Sequence, residues 1–144
     1  MSETTLVLLK PDCLAARRCG EVITRFEAAG LEIVGCKMML LADNALAEHY
    51  AHVSERPFYP ELKSFMQSSP VIIIALSGEN SVTRVRDLIG PTDSRKAARG
   101  TIRGDLGKDA MFNVVHASDS PENAVAELKR FFSPDELFEV SLGH

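Results

Sequence analysis

No apolar run in this chain approaches the ~20 residues that a bilayer-spanning helix needs, so no membrane span is expected. The start, Met1 to Thr5, is polar and acidic, and the apolar stretch Leu6 to Leu9 is far too short for the core of an export signal. Cytoplasmic residence is the expectation that follows. Cysteine is scarce: Cys13, Cys19 and Cys36 are an odd number without a CxxC pair, which argues against both a disulfide framework and a zinc site. The glycine-rich loops that usually cradle phosphates are missing, since neither GxxxxGKS/T nor GxGxxG occurs. Positive charge is not in excess either, and a net charge of −4 excludes a chain that is polybasic overall and binds nucleic acid or membranes for that reason. Repeats, linkers and low-complexity segments are lacking as well.

What is present suits one compact unit. The 144 residues, 45% hydrophobic and 25% charged, have ordinary globular composition, and the expectation is a single domain over 1–144. Charge is unevenly spread. Arg84 to Arg103 holds six basic residues and two acids, so that stretch is +4 and the remainder −8. A basic cluster on an acidic protein suits a small polyanion, although a solvated charged loop has the same composition.

Local patterns set out the elements. Thr4 to Lys10 is an apolar run stopped by Pro11 and predicts a buried strand. Val22, Ile23, Phe26 and Ala29 have helical spacing, with Gly30 placed as a stop. Val34, Cys36, Met38 and Leu40 alternate, predicting a half-buried strand within Leu31 to Leu41. Asp43 is placed to cap the next helix, whose face would carry Leu46, Tyr50 and Val53 before Arg56-Pro57 breaks it. A short helix is expected over Glu61 to Gln67. Val71 to Leu76 is continuously apolar and predicts a central strand covered on both faces. Ser81 to Ile89 reads as a helix with Val82, Val85 and Ile89 inward. Gly90 to Phe112 shows no period and reads as a long loop of functional kind. Asn113 to His116 reads as a strand, and Ser120-Pro121 opens a last helix whose apolar face is Ala124, Leu128, Phe131 and Phe132. Strands and helices alternate imperfectly, which predicts an α/β or α+β sandwich with one sheet covered by helices.

The chemistry concentrates near His116. It ends a strand just before a helix N-terminus, where backbone N–H groups favour anions. Imidazole is a competent nucleophile near neutral pH; taken alone, His116 equally reads as a satisfied histidine at a strand end. Glu127, eleven residues on, is placed to reach back and fix the tautomer of His116, or else is a solvated helix glutamate. Arg86 and Arg103 bracket the long loop and offer planar forks for phosphate oxygens. Lys10 adds a point charge at the end of the first strand, Phe58 offers a face for a base, and Tyr50 by itself reads as core.

Lys10-Pro11-Asp12, Gly20-Glu21-Val22-Ile23-x-Arg25-Phe26-Glu27, His49-Tyr50, Arg56-Pro57-Phe58, Gly100-Thr101-Ile102-Arg103-Gly104-Asp105 and Asn113-Val114-Val115-His116-Ala117-Ser118-Asp119-Ser120 occur in this order. The set resembles the nucleoside diphosphate kinase family from about Thr4 to Leu137, and the segment around His116 is its most specific part. The resemblance implies a ferredoxin-like βαββαβ sandwich with a four-stranded antiparallel sheet covered by helices. It implies ping-pong transfer of a γ-phosphoryl group from ATP, GTP or another nucleoside triphosphate to His116, and then to a nucleoside diphosphate. By motif position, Lys10, Tyr50, Arg86, Thr92, Arg103 and Asn113 would contact phosphates, sugar or the transferring group. Phe58 would stack on the base, and Ser118 and Glu127 would support His116. Magnesium would bridge the phosphates, with Asp119 touching it through water. Stacking accepts any base, so low base specificity is expected. A homo-oligomer, tetramer or hexamer, is implied too.

The chain departs from the family pattern in places. Ala117 stands where glycine is usual, a change that matters if the position needs positive φ. Gly90-Pro91-Thr92-Asp93-Ser94 has its proline earlier than usual, Ser69 replaces a common glycine, and Cys13 to Cys19 lacks the usual Arg-Gly pattern. Two rival readings follow. One is a family member without activity, which the retained Lys10, Arg86, Arg103, Asn113 and His116 oppose. The other is a ferredoxin-like RNA binder, opposed by few strand aromatics and the acidic charge.

Overall fold

The structure, a computed structural model, describes residues 2–140. Its strands are β1 (Ser2–Leu9), β2 (Glu32–Met39), β3 (Val71–Glu79) and β4 (Val115–Ala117). Its helices are α1 (Pro11–Ala15), α2 (Cys19–Ala28), α3 (Asp43–His49), α4 (Tyr59–Met66), α5 (Ser81–Ile89), α6 (Ile102–Leu106) and α7 (Pro121–Phe131). The strands form one antiparallel sheet in the order β2-β3-β1-β4. This is the ferredoxin-like arrangement, with β1, α2, β2, β3, α5 and β4 as the βαββαβ core. No helix among the described residues is long and apolar enough to cross a membrane.

The two central strands explain the continuous apolar runs. Side chains alternate across a sheet, so Val7, Leu9, Ile74 and Leu76 face one layer, with Val22 and Phe26 of α2 and Val85 and Ile89 of α5. Leu6, Leu8, Ile73 and Ala75 face the other, with Leu46 of α3, Leu62 and Met66 of α4, and Leu128 and Phe131 of α7. Each large aliphatic side chain so withdrawn from water contributes ~1.5–3 kcal/mol before entropy is counted.

Several boundaries follow the sequence closely. Gly30 stops α2 at φ +88°, which a β-carbon disfavours. Ser120 caps α7, its hydroxyl accepting the Asn123 N–H at 3.1 Å, with Pro121 in the first turn. Other expectations need correction. Asp43 does not cap α3: Ala42 holds that place, and the Asp43 carboxylate accepts from Gln67 Nε2 at 2.7 Å. The α3 helix also ends at His49, so Val53 lies in a separate 3-10 turn over Ala51–Val53. The alternating face of β2 holds only at Val34. A bulge between Ile33 and Gly35 shifts the register, Cys36 turns outward, and Met38 on this edge strand and Leu40 just past its end are 59% and 63% exposed.

The segment Gly90 to Phe112 is not loop throughout. It holds a 3-10 turn, Ser94–Lys96, and helix α6, capped by Thr101, whose hydroxyl accepts the Gly104 N–H at 3.0 Å. Gly104 is required there, since a β-carbon would lie 2.0 Å from the Ala98 carbonyl oxygen. An ion pair of 2.9 Å between Arg25 and Asp105 ties α6 to α2. Ala117 lies extended in β4 opposite Val7, and its methyl is buried in the first core layer. No positive φ is needed at this position, so the alanine adds packing without strain.

Candidate active site

The period of β4 decides which way His116 points. Val115 and Ala117 turn into the α2–α5 layer, so His116 between them turns toward the layer that holds α3 and α7. It pairs with Leu8 of β1 and lines a cleft of about 950 Å³. His116 Nε2 lies 2.9 Å from Glu127 Oε1, and the Ser118 hydroxyl donates to the same oxygen at 2.9 Å. Burial pushes the Glu127 carboxyl up, but the hydrogen bond of His116, the positive charge that ring gains when protonated, and the Ser118 hydroxyl outweigh burial and hold it below the ordinary glutamate value. An ionised Glu127 can only accept, so Nε2 of His116 carries the proton. In the neutral imidazole that leaves Nδ1 with its free electron pair, which is the requirement for an imidazole nucleophile.

The opposite wall is cationic. Lys10, where β1 meets Pro11, is 5% exposed; its Nζ donates to the Met111 carbonyl and to Asn113 Oδ1, both at 2.7 Å. The Asn113 amide in turn donates to the carbonyls of Thr92 and Ala110, at 2.9 and 3.0 Å. Arg86, on the exposed side of α5, reaches the Ala117 carbonyl at 3.4 Å. Arg103 is buried, and its fork grips three carbonyls: Gly90 at 3.1 Å, Asn113 at 3.4 Å and Val115 at 2.7 Å. Burial, then the charge of Arg86, pulls its guanidinium down to about 10. Tyr50 is half-buried beside His49, burial raising its phenol, and Phe58 is 44% exposed. Thr92 and Asp119 are exposed, and Asp119 holds the Asn123 amide. All the residues singled out in the sequence line this cleft except Ser118, which stands behind Glu127.

Burial lowers Lys10 from its usual 10.5 to about 8, against the pull of Asp12. The neutral form is thus reached at lower pH in the fold than in the unfolded chain, which binds more protons between pH 8 and 10.5. Unfolding free energy of the nucleotide-free protein should therefore rise across that window, while nucleotide affinity falls as the cation is lost. Urea titrations and nucleotide titrations at pH 7, 8, 9 and 10 test this, and parallel pH trends in the two would contradict it.

Two residues carried no role in the sequence reading. His49, 6% exposed, sets its ring edge-on to His116 with centroids 4.5 Å apart. Arg130 Nη1 donates to His49 Nδ1 at 2.9 Å, so Nε2 bears the proton, and it finds no partner among the described residues. Burial, then His116, pushes His49 down to about 3, so its ring is neutral. His49, His116 and Glu127 offer donor atoms within 4.8 Å of one another. The guanidinium of Arg130 on His49, and the proton it fixes on Nε2, oppose a metal ion there. The signal for Arg130 was its spacing from Glu127: three residues apart on α7, the two share a face.

A histidine with a free Nδ1, fixed by a buried carboxylate and facing a cationic wall, is the site of a phosphotransferase. The profile of the nucleoside diphosphate kinase family matches residues 3–137. A nucleoside diphosphate kinase of Parabacteroides distasonis is 49% identical over 140 residues, spanning 97% of this chain and 92% of that protein. One from Pyrococcus horikoshii is 49% identical over 145 residues, spanning 96% and 92%. Among solved structures, a halophilic nucleoside diphosphate kinase from Halobacterium salinarum in complex with CDP superposes with a TM-score of 0.95 at 38% identity, covering 99% of this chain and 95% of that one. The Aquifex aeolicus nucleoside diphosphate kinase gives 0.90 at 41% identity, covering 95% and 99%. The chain belongs to the nucleoside diphosphate kinase family, whose members move phosphoryl groups between nucleotides.

Proposed function

We propose that residues 1–144 act as one catalytic domain that passes the γ-phosphoryl group of a nucleoside triphosphate to a nucleoside diphosphate through a phosphohistidine at His116. The observation that carries this reading is the Glu127–His116 bond, which leaves Nδ1 as the free nitrogen on a residue of the cleft. In the first half-reaction Nδ1 attacks the γ-phosphorus. The N–P bond forms, the P–O bond to the leaving diphosphate breaks, and the nucleoside diphosphate departs. A β-phosphate oxygen of the second nucleotide then reverses the step. Glu127, steadied by Ser118, holds the imidazole and its developing positive charge. Lys10, Arg86 and Arg103 neutralise the phosphates, while Tyr50, Thr92 and Asn113 contact sugar, phosphate or the moving group.

Phe58 stacks on the base at the cleft mouth, a contact that accepts purines and pyrimidines alike and keeps base specificity low. The complex of the Halobacterium relative with CDP supports a nucleoside diphosphate in this cleft. Magnesium supplies charge neutralisation when it arrives on the phosphates. The residues fit such delivery: Glu127 is held by His116 and Ser118, Glu48 pairs with Arg130 at 3.2 Å, and the exposed Asp119 at the rim, which holds the Asn123 amide, would touch the ion through a water. The protein works as a cytoplasmic homo-oligomer, tetramer or hexamer. The exposed Met38 and Leu40 on the β2 edge, and the neighbouring groove of about 470 Å³ beside Phe132 and Phe138, support a surface covered by another copy.

The test mixes purified protein with magnesium and γ-labelled ATP in the absence of acceptor. An acid-labile, base-stable phosphoprotein that returns its label as GTP on a chase with GDP is the expected result. A well-folded protein that takes no label would overturn the reading in favour of a family member without activity.

A further inference from the structure

Two residues before His116 the backbone does something costly. Val114 has φ +62°, in the left-handed region that β-branched residues avoid. The Val115 N–H donates to the Asn113 carbonyl at 2.7 Å, closing a three-residue turn with Val114 at its centre. With positive φ at the centre, this turn is the rare and strained form. Such a conformation costs ~1–3 kcal/mol and persists only where the surroundings over-determine it.

The surroundings can be named. The Lys10 N–H donates to the Val114 carbonyl at 2.9 Å. Arg103 holds the carbonyls on either side, Asn113 and Val115. The Val114 N–H itself donates to Oδ2 of Asp12 at 3.0 Å. Asp12, in the first turn of α1, also favours the Lys10 cation by its charge, but Val114 is its side-chain hydrogen-bond partner: its Oδ1 is buried without one among the described residues. Burial raises its carboxyl above the ordinary aspartate value despite Lys10 beside it. A half-buried carboxylate with one oxygen unsatisfied is a poor stabiliser. It is well suited, however, to holding one N–H in a fixed direction.

That direction matters because β4 is only three residues long, Val115–Ala117. The turn at Val114 is where β4 begins, and it sets the path on which His116 is carried into the cleft. We propose that Asp12 is a positioning residue for His116: its carboxylate holds Val114 in the left-handed turn and so aims the nucleophilic nitrogen at the transferring phosphorus. The inference rests on His116 being the phosphoryl acceptor. It accounts for the aspartate of the Lys10-Pro11-Asp12 segment, which has no contact with the cleft described above.

The experiment compares Asp12→Ala, Asp12→Asn and the double variant Asp12→Ala/Val114→Gly, measuring kcat, nucleotide KM and single-turnover labelling of His116. A misplacement of about 1 Å costs on the order of 10²-fold in rate, so Asp12→Ala should lower kcat and the labelling rate by about that factor, with KM changed less than ~3-fold. Asp12→Asn keeps an acceptor oxygen and should remain at least ~10-fold faster than Asp12→Ala. Glycine takes positive φ freely, so Val114→Gly placed in the Asp12→Ala background should restore at least ~10-fold, a rescue that general loss of packing would not give. Wild-type kcat in Asp12→Ala, or failure of Val114→Gly to rescue it, overturns the proposal. Should Asp12→Ala prove unfolded, the double variant decides: folded and active upholds it, unfolded or inactive overturns it. Absence of label on the wild-type protein would sink the phosphohistidine itself and this proposal with it. A labelled wild type beside an unimpaired Asp12→Ala would sink the positioning role alone.

Discussion

Alanine at position 116 should lower phosphoryl transfer between nucleotides by more than about 10⁴-fold, the scale on which removal of a nucleophile acts. No other group in the cleft replaces it. His49 is buried, its Nδ1 is taken by Arg130 and its Nε2 is protonated, so neither nitrogen has a free pair to offer. Lys10 spends its ammonium on Met111 and Asn113. The fold should survive His116→Ala at a modest cost, because Glu127 keeps its bond from Ser118 and loses only that from His116. A loss of ~1–3 kcal/mol is the scale for one partner removed from a buried acceptor. Coupled assays of ATP-to-GDP transfer and urea unfolding, run on the same preparations, measure both quantities. Transfer near the wild-type rate in a folded His116→Ala protein would refute the histidine as the acceptor.

What could be read in the sequence, and what could not, divides along physical lines. Long periodic or continuously apolar segments declared themselves. Val71 to Leu76 proved a central strand covered on both faces, and Ser81 to Ile89 proved a helix with the inward residues foreseen. The carboxylate behind His116 was legible because Glu127 lies beside the apolar stripe of α7 and so near its buried face. Elements of five residues were not legible. Neither α1 nor α6 is long enough to show a period; α6 is fixed by its Thr101 cap and the Arg25–Asp105 ion pair, and α1, which has no side-chain cap, is tied by Asp12 to Val114. The outward face of Cys36 and Met38 was hidden because one bulge inverts an alternation without changing the residues that alternate. The strained turn at Val114 has no local signature at all. Valine there promises extended backbone, and only Asp12, Lys10 and Arg103, each distant in the chain from Val114 or gripping its neighbours, impose the other conformation.

Arg103→Ala should reduce kcat/KM by about 2–5 kcal/mol, or roughly 30- to 4,000-fold, because the residue does two things at once. It places a cation in the wall opposite His116, close enough to Arg86 for the two charges to oppose each other. Its fork also joins the start of the Gly90 segment to both flanks of the turn that leads into β4. Lysine can supply the first property and not the second, since one ammonium on a flexible stem cannot span three carbonyls set for a planar fork. Arg103→Lys should therefore recover no more than about 10-fold of the loss. It should also remain destabilised, with each carbonyl stripped of its partner costing ~1–3 kcal/mol where no water replaces the bond. Steady-state kinetics with urea unfolding of both variants separates the contributions. Lysine restoring the full rate would make charge the whole of the effect and leave the fork a matter of stability. An unchanged kcat/KM in Arg103→Ala would remove the residue from the phosphate wall altogether. The expected middle result, partial charge rescue without geometric rescue, ties phosphate binding and the aim of His116 to one buried side chain.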